Sequence, residues 1–151
     1  VLAYEPKIAR KSSGDRAVLS LVLAVSEQAK LFYQYTATFI DDTNIRRYFI
    51  ELALLHQQAE KFAAVESTKV ATDQDVNAIC QWYRDYISSP AAEQHIWLAE
   101  LPQQLRWQLA TFRRLTRAVT QPDNARALAN LTAGLQIVTD QLRPLLLKIK
   151  K

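Results

Sequence analysis

Glycine is nearly absent from this chain: Gly14 and Gly134 are the only two in 151 residues, beside five prolines. β-Sandwiches and barrels need many turn-forming residues, and phosphate loops, dinucleotide fingerprints and serine elbows need clustered glycines, so all are excluded. Cys80 is the single cysteine, which rules out an internal disulfide and any Cys-cluster zinc or iron–sulfur site. The longest apolar run, Ala17 to Val25, is interrupted by Ser20 and is too short to span a bilayer. The opening Val1 to Lys11 is polar and basic with no apolar core segment directly after it, so no secretory leader is expected and the cytoplasm is the expected location. What remains is 49% hydrophobic and 23% charged residues, enough apolar material for one helical domain with a buried core.

Charge is unevenly distributed. Residues 1–100 hold 10 Lys and Arg against 13 Asp and Glu, a net of −3, whereas residues 101–151 hold 9 against 2, a net of +7. A basic third on a mildly acidic remainder is compatible with an anionic partner, and equally with a solvated face beside acidic parts of the same fold or of a second copy.

Residues 1–12 show no clear period and read as an N-terminal arm, leaving 13–151 as one domain. Ser12-Ser13-Gly14-Asp15 supplies capping residues ahead of a stripe formed by Val18, Val22, Val25, Ala29, Phe32, Thr36 and Phe39. Asp41-Asp42-Thr43-Asn44 breaks it, with Asp42 or Thr43 as the next cap, and Ile45, Phe49, Leu52, Leu55, Ala59 and Phe62 continue on a second helix. So short a break between two long helices predicts an antiparallel hairpin. The crossover, residues 65–101, contains a short helix opened by Thr72-Asp73-Gln74-Asp75, and Ser89-Pro90 and Leu101-Pro102 read as two further starts. Leu105, Leu109, Phe112, Thr116 and Val119 make the third long stripe. After Thr120 to Asn124, Leu128, Leu131, Leu135, Val138, Leu142 and Leu146 or Ile149 make the fourth, with Pro144 expected to kink it or end its regular part.

The two hairpins repeat. A shift of 80 residues places Gln28 on Gln108, Phe32 on Phe112, Thr36 on Thr116, Asn44 on Asn124, Arg46 on Arg126, Ala53 on Ala133 and Leu55 on Leu135, and the interhelical breaks coincide. Two copies of one hairpin and a long crossover predict an all-α four-helix bundle.

With Gln28-Ala29-Lys30-Leu31-Phe32-Tyr33 on the first helix and Ala59-Glu60-Lys61-Phe62 on the second, the chain resembles the ferritin-like superfamily, and within it the rubrerythrin-like duplicated hairpins. The resemblance implies a ferritin-like four-helix bundle of two antiparallel hairpins joined by a long crossover containing short helices. Active members hold two iron or manganese ions between the helices, each hairpin supplying a Glu from its first helix and a Glu-x-x-His from its second. Aligning the supporting segments puts Ser26, Leu55 and Gln58 at those positions, and the repeat carries them to Arg106, Leu135 and Val138. None is a carboxylate or histidine, so the dinuclear ligands are expected to be lost and no cofactor is expected. A slip of one residue would restore Glu27 alone.

His56 and Glu60, four apart, share a helix face, and Glu27 on the facing helix is the one obvious third ligand for a rearranged metal site. The competing reading of His56 with Glu60 is a surface i, i+4 pair. Cys80 reads as a small buried residue, Gly134 as a point of close helix approach, and Phe32, Tyr33, Phe49 and Phe112 as core. Arg106, Arg113 and Arg117 lie within about 40° of one another on the third long helix, beside its apolar stripe, and with Trp107 they form a candidate anion- or partner-binding face. Three functions are therefore carried forward. The first is a non-catalytic ferritin-like bundle acting as a binding or structural module, through a protein partner or self-association. The second is a metal-dependent oxidoreductase using Glu27, His56 and Glu60. The third is a module that binds nucleic acid or another anionic surface.

Overall fold

The computed structural model describes the backbone of residues 4–66 and 71–149 and the side chains of residues 14–65 and 71–149. It contains α1 (Tyr4–Thr36), α2 (Thr43–Glu66), α3 (Gln74–Ile87), α4 (Gln94–Ala118) and α5 (Pro122–Ile149), with no strand among the described residues. Among the described residues no helix is long and apolar enough to cross a membrane.

Local chemistry sets most of these boundaries. The Asp42 carboxylate accepts from the N–H groups of Asn44 and Ile45 and caps α2. The Arg46 guanidinium donates back to the Ile40 carbonyl, satisfying an acceptor in the connection between α1 and α2. Asp73 caps α3 through the N–H of Val76 and is gripped by Arg114, which also reaches Asp75 and so fastens α3 to α4. Pro122 opens α5, where its missing N–H costs nothing.

Three expectations need correction. Helix α1 begins at Tyr4, so residues 4–12 are helical where an arm was expected, while residues 1–3 lie outside the described residues. The supposed cap at 12–15 is therefore inside the helix. Its Asp15 instead accepts from the N–H groups of Thr120 and Gln121, the Thr120 hydroxyl and the Asn124 amide, clamping the turn before α5 from 105 residues away. Neither crossover proline starts a helix: residues 88–93 form turns, with the Pro90 carbonyl accepting from the Trp97 indole, and α4 runs through a buried Pro102. Helix α5 likewise continues past Pro144 to Ile149. In both cases side-chain burial on the helix outweighs the loss of one backbone hydrogen bond.

Helices α1 and α2 form one antiparallel hairpin and α4 and α5 the other, and α2 packs along α5 while α3 lies over α1 and reaches α4. Trp97, Tyr33, Tyr83, Phe32, Phe49 and Phe112 are among the largest fully buried side chains. Phe32 sits at their middle, with the rings of Tyr33, Trp82, Tyr83 and Trp97 at 5.1–5.5 Å.

The buried positions of the two hairpins correspond at an offset of 79 residues, one less than the offset that the sequence identities favour. Buried Leu19, Val22, Ser26, Ala29, Tyr33 and Thr36 map onto buried Leu98, Leu101, Leu105, Gln108, Phe112 and Leu115. Buried Phe49, Leu52, His56, Ala59 and Ala63 map onto Leu128, Leu131, Leu135, Val138 and Leu142. At an offset of 80, by contrast, buried Ser26, Tyr33 and Phe49 would meet exposed Arg106, Arg113 and Ala129. Leu55 and Gly134 are equivalent at 79, and they touch: a Cβ on Gly134 would lie 2.9 Å from Leu55 Cδ2.

Two tests follow from these contacts. Gly134→Ala should change stability by less than about 1 kcal/mol, because the gain in helix propensity offsets a clash with a movable methyl. Gly134→Leu should cost about 1–3 kcal/mol, and Leu55→Ala should recover much of that loss in urea unfolding of the double variant. Burial alone would raise the Asp15 pKa, but the four donors outweigh it and hold the carboxyl below its ordinary 3.8. The clamp thus contributes stability above about pH 4 that is lost as pH falls through the folded pKa. Asp15→Asn should cost about 1–3 kcal/mol at neutral pH and show a weaker acid dependence than the parent chain.

Candidate functional site

The centre of the bundle is where equivalent positions of both hairpins face inward. In the first hairpin these are Ser26, His56 and Ala59, and in the second Leu105, Leu135 and Val138. Ser26 Oγ lies 3.2 Å from His56 Nδ1, the one polar pair in this layer. The imidazole stacks on the Tyr33 ring at 6.3 Å and leans on Phe112 at 6.2 Å, and those two aromatics are themselves repeat equivalents. A second polar line begins one turn away. Tyr33 donates to the Tyr83 hydroxyl at 2.9 Å, since Tyr83 donates its own proton to Gln108 Oε1 at 2.8 Å. Gln108 Nε2 is buried without a partner.

Burial keeps every group here neutral. His56 is 1% exposed, and desolvation lowers its pKa to about 4. The pKa of Tyr33 is raised well above the usual 10 by burial and by Tyr83, and burial raises that of Tyr83 as well. Nearby Cys80 is buried, with its thiol pKa pushed up chiefly by desolvation, so it is a small core residue and not a thiolate nucleophile.

The sequence-derived positions fall as follows. Ser26, Leu135 and Val138 do face the centre. Leu55 instead turns toward Gly134, Gln58 is exposed, and Arg106 is exposed on α4. Glu27, His56 and Glu60 are not brought together. Glu27 is exposed, Glu60 pairs with Lys30 at 2.8 Å, and His56 is inside the core. The reading of His56 with Glu60 as a surface pair is also corrected by that burial. Among the described residues no three His, Cys, Asp or Glu side chains converge. The inward set of one imidazole, one hydroxyl and aliphatic carbons does not fit a dinuclear centre, which needs bridging carboxylates to balance the charge of two hard cations.

Of the proposed basic face, Arg106, Arg113 and Arg117 are exposed along one side of α4. Trp107 does not join them: it is half-buried against the core, about 80–120° round the helix. Arg113 and Arg117 flank a groove of about 390 Å³ between α4 and α5, which the sequence did not disclose. Its floor comes from residues small on α5, whose significance depends on which face α4 presents to them. Comparison with protein-family models, curated proteins and solved structures finds no match.

The buried imidazole gives a pH test. Unfolded, His56 takes up its proton near 6.5, whereas folded it does so only near 4, so the unfolded state gains as pH falls between those values. Stability should therefore drop by up to about 3 kcal/mol across that window. Urea midpoints measured from about pH 7 to pH 5 should show the decline, and His56→Gln should flatten it. A parent chain whose midpoint is level over the same range would contradict a buried neutral His56.

Proposed function

We propose that this chain is a ferritin-like bundle whose dinuclear metal centre has been replaced by side-chain packing, and that it works as a non-catalytic binding or structural module. The reading takes the cytoplasm as its place of action and protein contacts as its output. Support comes from the duplicated antiparallel hairpins, the long connection that carries α3 across the bundle, and the α2–α5 seam between equivalent residues. The observation that carries it is the bundle centre. Ser26, His56 and Ala59 face Leu105, Leu135 and Val138 there, so the positions from which ligands would project are filled by carbon and one neutral hydrogen-bonded pair. With no carboxylate in that layer, there is nothing to hold two divalent ions, and with no activated nucleophile there is no covalent chemistry to offer in their place.

The experiment is metal analysis by mass spectrometry on protein produced with iron and manganese supplied, together with its absorption spectrum. The expected result is metal well below one ion per chain, unchanged in His56→Ala. Near two ions per chain, lost in His56→Ala, would overturn the proposal and restore an oxidoreductase.

A further inference from the structure

We infer that the α4–α5 groove is a docking site for an acidic amphipathic helix of a partner protein, an inference that rests on the binding-module reading above. The internal repeat supplies its own comparison. In the first hairpin the equivalent surface carries Ile50 and Leu54, 48% and 52% exposed, with Gln34 and Thr38 beside them. In the second, the same four positions are Ala129, Ala133, Arg113 and Arg117. On one shared framework, two bulky side chains have become alanines and two neutral polar ones have become arginines. The result is a hollow of about 390 Å³ with guanidinium groups on its edge.

The lining says which kind of anion belongs there. The hydroxyls of Thr116 and Thr132 donate to carbonyls of their own helices, those of Phe112 and Leu128. Those protons are therefore spent internally, and with Ala129 and Ala133 the floor suits the small or apolar face of a helix laid against it. Charge sits at the rim. Arg114 and Arg126 have carboxylate partners, but among the described residues Arg113, Arg117 and Arg106 have none. Arg113 instead donates across the seam to Gln136. The Arg113–Gln136 hydrogen bond and the close approach of the Thr116 and Thr132 side chains mark an antiparallel register that sets Arg106 level with Arg143, whose Nε is buried and unpartnered among the described residues. Asp140, which accepts from Gln136, is the only acid along this stretch of the seam.

Arg113 and Arg117 stand one helical turn apart, so an incoming helix would meet them with carboxylates at i and i+4. A nucleic acid would use the same charges without needing the alanine floor. A protein helix needs both, and both changed together between the two hairpins.

The test uses the full chain and a fluorescent, helix-stapled Ala/Leu peptide of about five turns bearing Glu along both flanks, with a Lys-for-Glu twin and a dT oligonucleotide as comparators. Fluorescence anisotropy should show the acidic peptide binding at least about tenfold tighter than its twin. The pair Arg113→Glu with Arg117→Glu should weaken it by at least about tenfold, and Lys61→Glu on α2 should not. Ala129→Ile with Ala133→Leu, which installs the first hairpin's residues and leaves charge unchanged, should weaken peptide binding and spare any oligonucleotide binding. Thermal melts followed by circular dichroism check that each variant folds. Saturable binding that ignores Ala129→Ile/Ala133→Leu, an oligonucleotide that outcompetes the peptide, or no saturable peptide binding would each overturn the inference. Metal analysis of the same preparation separates the two readings: metal-free protein that fails to bind peptide sinks the docking site alone, whereas metal-loaded protein that binds peptide sinks the emptied-centre reading alone.

Discussion

The contact on which the rest of the architecture depends is Leu55 lying against Gly134. A methyl on Gly134 would need only the end of the Leu55 side chain to shift, whereas a larger side chain would force α2 and α5 apart. The helix accepts a propensity penalty of about 1 kcal/mol for the glycine. The contact lies where α2 of the first hairpin packs along α5 of the second. Small hollows flank it on both sides, one beside Leu54 and Ile137 and one beside Phe62 and Ala127. With α2 packed along α5, Ser26, His56, Leu105 and Leu135 are all buried.

That centre is mostly apolar, yet it is not uniform. The first hairpin places a hydroxyl and an imidazole where the second places two leucines. Burying a lone imidazole without a partner would cost several times what a neutral hydrogen bond returns. The Ser26 hydroxyl supplies the partner, and the aromatic faces of Tyr33 and Phe112 supply packing. Neutrality is the condition for all of this, which is why the layer tolerates His56 while Glu27 stays in solvent and Glu60 keeps to Lys30.

Much of this was legible in the sequence. The four long helices, the helix starts near Asp42–Thr43 and within Thr72–Asp75, the fourth stripe as far as Leu142 and the buried Phe32, Tyr33, Phe49 and Phe112 all follow from periodicity and capping chemistry. The inward face of α2 did not, because Leu55 and Phe62 are more hydrophobic than His56 and Ala63, and hydropathy drew the stripe one position off. A heptad-like run through Ile45, Phe49, Leu52, His56, Ala59 and Ala63 was available, at the cost of admitting a histidine to the core. The same one-residue drift moved the repeat offset from 79 to 80, since surface identities such as Arg46 with Arg126 outvoted the core. Pro102 and Asp15 misled for another reason: each has a strong local preference that a long-range contact overrides. The α4–α5 groove was invisible because it arises from small residues, and smallness on one helix carries no meaning until its neighbour is placed.

The crossover explains why two similar hairpins ended with different surfaces. A single α3 cannot cover both halves alike, and it lies over α1. The α1 residues Leu21, Val25 and Phe32 are accordingly buried and apolar. Their equivalents on α4 are Glu100, Gln104 and Thr111, and Glu100 accepts from the Trp82 indole and the Tyr86 hydroxyl of α3. The α4 side of the same helix thus has to be polar where the α1 side has to be greasy. Once that symmetry is broken on one flank, nothing obliges the other flank to preserve it. Of the basic residues in the last third of the chain, Arg106, Arg113, Arg117 and Arg143 lie along the α4–α5 seam, while Arg114 is taken by α3 through Asp73 and Asp75. Arg113 and Arg117, beside Arg114, have no carboxylate partner among the described residues and stand at the edge of the α4–α5 groove.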